Sequence, residues 1–271
     1  MELQEVPSNV NASIRPPKRQ IMGSDDHTFI GRIYDLGGPL HRRMESYEEL
    51  AVYGDCKYVL DVHAQMTSMV RRVESMNLVG AILWPVPAPI DFNGFPVSSY
   101  EWLNIGADVF LMRYVSISDC ALLLTNEIYC CGLAPQQCSI ENLKKRGVAQ
   151  GIMDVLKALI IGQGALRMER NARFHHGRER EFTDDDITFR LASWLNHYGG
   201  GAEGSDEKGR PIDLDRSFNE GLVELQRAFN QAISKLPKIL NRLYDNLGAE
   251  FESQFSPRFR ARAHGFGVCR G

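Results

Sequence analysis

Apolar residues recur every three or four positions along most of the chain, which is the spacing of amphipathic helices. Four long stretches keep this spacing, and each begins at a serine or aspartate that can cap a helix. They run from Ser46 to about Asn77, from Ser98 or Ser99 to Cys131, from Ser139 to Gly177, and from Asp213 or Asp215 to about residue 252. A shorter helix is predicted from Thr183 to about His197, and Pro237 is expected to kink the last helix. Since no stretch alternates like a strand, the pattern predicts an all-α bundle of four to five helices.

Glycine and proline mark the stretches that lack helical spacing. Residues Met1 to about His41 contain Pro16-Pro17 and Gly37-Gly38-Pro39, which predict an irregular N-terminal arm. Residues 83–96 contain four prolines and are expected to form a long extended segment between two helices. The predicted organisation is an arm of residues 1–41, a helical domain of residues 42–252 and a basic C-terminal tail of residues 253–271.

Composition limits the functions that this fold could carry. The chain has 271 residues, of which 44% are hydrophobic, enough for one large core. Its net charge of -3 gives no overall positive field, so any nucleic-acid site must be a local basic patch. No apolar run is long enough for a signal sequence or a membrane span, and we expect a cytoplasmic protein without a membrane partner. The six cysteines lack the paired spacing of a zinc site and are expected to be reduced thiols: Cys56, Cys120, Cys130, Cys131, Cys138 and Cys269.

One segment combines residue types that suit RNA cleavage: Arg170-Asn171-Ala172-Arg173-Phe174-His175-His176. Cleavage by the RNA's own 2′-hydroxyl needs two proton transfers and neutralisation of charge on the phosphorus. An imidazole can transfer protons near neutral pH, and a guanidinium presents a fork of donors to phosphate oxygens. We therefore expect Arg170 to clamp the phosphate, His175 to transfer protons, Asn171 to orient a neighbour, and His176 to act as a possible second imidazole. This chemistry needs no metal and no cofactor.

The segment resembles the motif of the HEPN superfamily, whose ribonucleases carry an arginine, a polar residue such as asparagine, and a histidine after four to six intervening residues. The resemblance implies a HEPN-like helical bundle with the motif at the end of a core helix. It also implies a metal-independent endoribonuclease, either a toxin or an antiviral defence effector, with an antitoxin or another defence protein as partner. Two alternatives remain: a non-catalytic HEPN module that binds nucleotide or RNA, and a helical protein-interaction subunit.

Two other arginine-histidine pairs have similar spacing, namely Arg190 with His197 and Arg258 with His264. In neither pair is the arginine followed by asparagine, and we interpret both pairs as coincidental. The first pair is expected to lie in a surface stripe beside Trp194. Four further arginines around the motif are predicted to bind the RNA backbone: Arg167, Arg173, Arg178 and Arg180. The arginines and aromatic residues of the tail could also hold single-stranded RNA. Asp119 and Glu127 are acids in an otherwise apolar helix, and either could reach the site or bond to another helix.

Helix geometry separates the two main residues of the motif. Residues five apart on a helix point about 140° away from each other, so Arg170 and His175 share a face only if the helix ends or bends near Gly177. A homodimer that lines one cleft with both motifs would avoid this difficulty. The family resemblance implies the same pairing of protomers.

Overall fold

The computed structural model describes residues 15–23, 26–43, 46–86, 92, 94–199, 205, 209 and 211–260. These residues form α-helices and contain no β-strand, apart from one isolated bridge between Ser205 and Pro211. The helices are α1 (Thr28–Arg43), α2 (Tyr47–Ala51), α3 (Gly54–Leu83), α4 (Ser99–Ile128), α5 (Ile140–Lys145), α6 (Gln150–His176), α7 (Asp186–His197), α8 (Leu214–Ser234) and α9 (Leu236–Arg260). A 3₁₀ turn lies at Pro135–Gln137. The all-α prediction is confirmed.

Helices α3 and α4 form the centre of the bundle and share its largest helix-helix interface. Both are 30 residues long, and both bury apolar residues at helical spacing along their whole length. The predicted start of α4 is confirmed: the Ser98 hydroxyl accepts from the Glu101 amide, and the Glu101 carboxylate accepts from the Ser98 amide. This capping box fixes the end of α4 that lies near the motif.

Helix α6 carries the motif and packs on α4 and α9. Its backbone leaves helical geometry at Gly164, where φ is 18° and ψ is -104°. Beside this kink, the buried Gln163 side chain donates to the carbonyl of Tyr114 and accepts from the Ser118 hydroxyl, both on α4. Gln163 therefore ties α6 to α4 just before the kink, and the last twelve residues of α6 follow it.

The expectation of an irregular segment up to His41 is wrong for residues 28–41, which lie in α1. Phe29, Ile30, Ile33 and Leu40 follow helical spacing and are buried. Gly37 does not reverse the chain: it lets α1 approach α3, since a β-carbon there would lie 2.5 Å from the His63 ring. Residues 15–23 are non-helical, as predicted. They form hydrogen bonds with Asn77 of α3, with Trp84 at the C-terminal end of α3, and with Asn230 of α8.

Three predicted helices are divided in the structure. Val52 and Tyr53 separate α2 from α3, and Gly147, with a φ of 86°, separates α5 from α6. The last predicted helix breaks at Lys235, with Pro237 in the first turn of α9, where a missing N–H costs no hydrogen bond.

Residues 253–260 of the predicted tail belong to α9, whereas residues 261–271 lie outside the described residues. Much of the proline-rich segment, including Pro87 and Pro89, also lies outside them, and its described residues after Leu83 are non-helical.

Candidate functional site

The motif occupies the last two turns of α6, as the sequence predicts. Asn171, His175 and His176 are exposed, and Arg170 is half-buried. Gly177 ends the helix with a φ of 63°, and its amide donates to the Arg173 carbonyl. The two histidines thus lie at the C-terminal, negative end of the helix dipole.

Three arginines at intervals of three residues project from the side of α6 that faces α4. Arg167 donates to the Ser118 hydroxyl at 2.8 Å and pairs with Asp119 at 3.4 Å. Arg173 pairs with Asp108 at 2.6 Å, and only 7% of its side chain is exposed. Arg170 lies between them and has no hydrogen bond or ion pair with the residues that the structure describes. The central guanidinium is therefore available to an anion, while its neighbours hold α6 against α4.

The two remaining predicted RNA-binding arginines, Arg178 and Arg180, also differ in whether they form ion pairs. Arg180 bonds to Glu169 at 3.2 Å and to Glu224 of α8 at 2.7 Å, with 13% of its side chain exposed. Arg178 follows the C-cap, is exposed, and makes no ion pair within the described part of the chain. Arg167, Arg173 and Arg180 thus hold the fold together, and of the four predicted RNA-binding arginines only Arg178 makes no ion pair with the described residues.

Arg170 and His175 do not share a face in one chain. The helix stays regular between them, since its kink lies at Gly164 and its end at Gly177, so their side chains diverge by about 140°. Asn171 and His175 are four residues apart and lie on the same exposed face, together with Met168, which is 69% exposed. Asn171 is thus placed to assist His175 rather than Arg170.

The two acids singled out on α4 have different surroundings. Asp119 reaches Arg167, one helical turn before Arg170. Glu127 lies two turns further along α4, beside Lys57, Asp61 and Cys130 in a separate cavity of about 380 Å³. Burial, followed by the charge of Asp61, raises the pKa of Glu127. Only Asp119 belongs to the surroundings of the motif.

Sequence reasoning missed the residues of α4 that hold the motif. Asp108 and Asn104 both bond to Arg173, and Ser118 bonds to Arg167 and Gln163. Asp108 and Asn104 had a usable signal, because they are polar residues one turn apart within a largely apolar helix. Their partners could not be identified without the packing of α6 on α4.

The Arg190 and His197 pair has structural partners. Arg190 pairs with Glu179 at 2.8 Å and lies over the Tyr100 ring, with 5.9 Å between the guanidinium carbon and the ring centroid. His197 Nδ1 lies 2.8 Å from the carbonyl oxygen of Phe92. These contacts account for both residues. His264, which belongs to the other coincidental pair, lies outside the described residues.

A groove of about 1220 Å³ lies between the first three turns of α4 and helix α7, with Gly177 at its edge. We call it the α4–α7 groove. Five carboxylates line it, namely Glu101, Asp108, Glu179, Glu181 and Asp186, together with Arg190 as the only lining guanidinium among the described residues. An excess of carboxylates repels phosphate, so this groove is not suited to a nucleic-acid backbone.

The described part of the chain contains neither a metal-binding cluster of side chains nor a membrane-spanning helix. Among the described residues, no group of three or more His, Cys, Asp or Glu side chains is arranged so that it could hold a metal ion. None of the helices there combines the length and the apolar character that crossing a membrane requires. Five of the six cysteines fall within the described residues, and all five are free thiols.

The candidate site therefore consists of a half-buried guanidinium that has no ion pair among the described residues and two exposed imidazoles at the end of a helix that ion pairs fasten to the core. Comparison with protein-family models, with curated proteins and with solved structures finds no match to this chain.

Proposed function

We propose that this protein is a metal-independent endoribonuclease, of the HEPN type that its motif resembles, and that Arg170 and His175 form its active site. The observation that carries the proposal is the placement of Arg170. It is the middle member of three arginines, and the outer two are bound to carboxylates of α4 while Arg170 is left without an ion pair among the described residues. A guanidinium that is half-buried and has no ion pair among the described residues suits a phosphate that is about to change its bonds, and two exposed imidazoles lie on the same helix.

The reaction balances with these groups alone. One imidazole removes the proton of the 2′-hydroxyl, and the resulting oxygen attacks the adjacent phosphorus. The bond from phosphorus to the 5′-oxygen breaks, and a second, protonated imidazole gives its proton to that leaving oxygen. The guanidinium of Arg170 neutralises the charge that builds on the non-bridging oxygens. The products are a 2′,3′-cyclic phosphate and a 5′-hydroxyl.

A homodimer supplies the second imidazole. In one chain Arg170 and His175 point in different directions, so a phosphate held by Arg170 lies closer to the His175 of a facing protomer than to its own. A two-fold axis near residues 169–177 would bring two arginines and two histidines around one cleft. His176 is the alternative source of the second imidazole, since it is exposed on the last turn of the same helix.

The test is the chemistry of the RNA ends. Purified protein is incubated with total RNA in EDTA, and the termini of the fragments are identified by end labelling and mass spectrometry. The proposal predicts cyclic phosphates or their hydrolysed form with wild type and none with His175→Ala. His197→Ala is the matched control, because it removes a histidine from a coincidental match and should leave cleavage intact. Fragments with 5′-phosphates, or cleavage that requires added Mg²⁺, would contradict the proposal.

A non-catalytic RNA-binding module is the second candidate. The divergence of Arg170 and His175 within one chain favours it, since a monomer would present a phosphate clamp without an aligned proton-transfer group. RNA binding that depends on Arg170 but gives no fragments at any protein concentration would select this candidate. The proposed role in a toxin or defence system rests on the family resemblance alone.

A further inference from the structure

Arg113 lies on the exposed side of α4, at about the same height along that helix as Arg170 of α6. The arginines one turn before and one turn after Arg170 bind Asp119 and Asp108 of α4, so α6 runs antiparallel to α4 here. Arg170 therefore lies opposite the middle of the stretch between these two acids, and Arg113 is in the middle of that stretch. Arg113 is five residues after Asp108 and six before Asp119, so it points about 120–140° away from both acids around the helix. The guanidiniums of Arg170 and Arg113 thus flank one exposed face of α4.

The face of α4 between these two arginines carries no acid. Around the helix from Asp108 to Arg113, the side chains are those of Met112, Ser116 and Val109. Met112 is 48% exposed, and the Ser116 hydroxyl donates to the carbonyl of Arg113. Asp108 itself is paired with an arginine of α6. A strand of RNA that crosses this face therefore meets an uncharged surface with an exposed apolar side chain, which an unstacked base can contact.

A cavity of about 560 Å³ lies on the far side of this face, between α3 and α4. We call it the α3–α4 cavity. Arg71 of α3 and Arg113 of α4 both line it, both are exposed, and neither forms an ion pair with the part of the chain that the structure describes. Glu74 is the one carboxylate among the described lining residues. Two guanidiniums that converge on one cavity and lack carboxylate partners form a suitable site for a phosphate.

The positive charge continues along residues 15–23, which pack on α3. This segment contains Arg15, Lys18 and Arg19 and no acid. Arg15 and Lys18 are exposed, and Met22 of the same segment lines the α3–α4 cavity. The whole chain has a net charge of -3, so this side of α3 and α4 is a local basic surface of the kind that a nucleic-acid backbone requires.

We infer that single-stranded RNA held at Arg170 crosses the exposed face of α4 and places a neighbouring phosphate in the α3–α4 cavity. Arg113 and Arg71 bind that phosphate, and Met112 contacts a base between the two ends of the path. A helix with its side chains is about 10–12 Å across, so a few nucleotides connect the two ends. The identity of the ligand as RNA rests on the proposed function, whereas the path rests on the positions and the free charges of the arginines.

The first experiment measures binding of a fluorescein-labelled single-stranded RNA of about 16 nucleotides to the full-length protein by fluorescence anisotropy. The RNA carries 2′-O-methyl groups, so attack by a 2′-hydroxyl cannot cleave it. Arg71→Ala and Arg113→Ala should each weaken binding and lower the slope of log affinity against log salt by about 0.7, which is the contribution of one phosphate on a single strand. The double variant should bind about tenfold more weakly than wild type. Arg242→Ala is the matched control: Arg242 is exposed on α9, has no ion pair among the described residues and does not line the cavity, so affinity and slope should stay unchanged.

The second experiment locates the RNA on the surface. A photo-crosslinking p-benzoylphenylalanine replaces Met112 in one protein and Leu191 in another, and each is irradiated with the same RNA. Leu191 is 57% exposed in the α4–α7 groove, whose carboxylates repel phosphate. The inference predicts crosslinks from position 112 and none from position 191. Crosslinks from position 191 alone would overturn it, as would a double variant whose affinity and salt slope equal those of wild type.

The path and the proposed cleavage can fail separately. Binding of the modified RNA that depends on Arg71 and Arg113, without fragments from ordinary RNA, would contradict the endoribonuclease and support the path. Fragments from ordinary RNA, with no loss of affinity in the double variant, would contradict the path alone. A wild-type protein that binds no RNA would overturn both.

Discussion

At the scale of single residues, the sequence predicted where the motif lies but not which arginines are free. From the sequence, the arginines around Arg170 all received one role, RNA binding, because each is a basic residue within one short segment: Arg167, Arg173, Arg178 and Arg180. What distinguishes them is the set of acids on α4, a helix more than forty residues earlier in the chain. Asp108 and Asp119 neutralise Arg173 and Arg167, and no local pattern reveals such long-range pairs.

Arg173 is therefore expected to matter for stability more than for RNA binding. Arg173→Ala removes a guanidinium that is only 7% exposed and leaves Asn104 and the 41% exposed Asp108 without their partner, so it should lower the free energy of unfolding by about 1–2 kcal/mol. Arg178→Ala removes an exposed side chain and should change it by less than about 0.5 kcal/mol. Urea denaturation followed by circular dichroism measures both values. Equal effects of the two substitutions would contradict the assignment of Arg173 to the fold.

His63 should make stability depend on pH. Burial, and then the neighbouring His41, lowers the pKa of His63 below its ordinary value of 6.5. Between these two values the unfolded chain binds more protons than the native protein, so stability is lost as the pH falls from above 6.5 toward the lowered pKa. Urea denaturation at several pH values should show this loss in wild type and a shallower dependence in His63→Gln. Identical pH dependence in the two proteins would show that His63 makes no such contribution.

At the scale of helices, hydrophobic spacing predicted the long elements well and their interruptions poorly. Helix α4 starts at its predicted cap, whereas α5 and α6 were predicted as one helix because apolar spacing continues across Gly147. The opposite error occurred in α1, where Gly37-Gly38-Pro39 indicated a break. Glycine disrupts a helix by its conformational freedom, but it also permits close contact between helices, and sequence alone does not distinguish these uses.

Two glycines of α1 give a matched test of that distinction. Gly37→Ala places a methyl group 2.5 Å from the His63 ring and should destabilise the protein by about 1–3 kcal/mol. Gly31→Ala meets nothing within 4 Å and should stabilise the protein by up to about 1 kcal/mol through higher helix propensity. Thermal unfolding of both variants provides the comparison. Stabilisation by both substitutions would mean that α1 does not pack against α3 as described.

At the scale of the whole molecule, the active site proposed here is incomplete in one chain. The regular end of α6 keeps the side chains of Arg170 and His175 on different faces, and Arg167 and Arg173 fasten this part of the helix to α4. Helical geometry already predicted from the sequence that these two side chains point in different directions. The regular helix between the two residues agrees with that prediction. A facing protomer is the simplest source of the missing imidazole.

The most direct test of the proposed shared site mixes two inactive variants. Arg170→Ala and His175→Ala proteins, each expected to lose RNA cleavage without loss of helical circular dichroism, are combined in equal amounts and assayed in EDTA. Heterodimers contain one intact Arg170 and one intact His175 in a shared cleft, so the mixture should regain part of the wild-type rate. Cleavage that survives in either variant alone would contradict the roles of these residues. Inactive variants whose mixture remains inactive, although subunits exchange, would contradict a site shared between two chains.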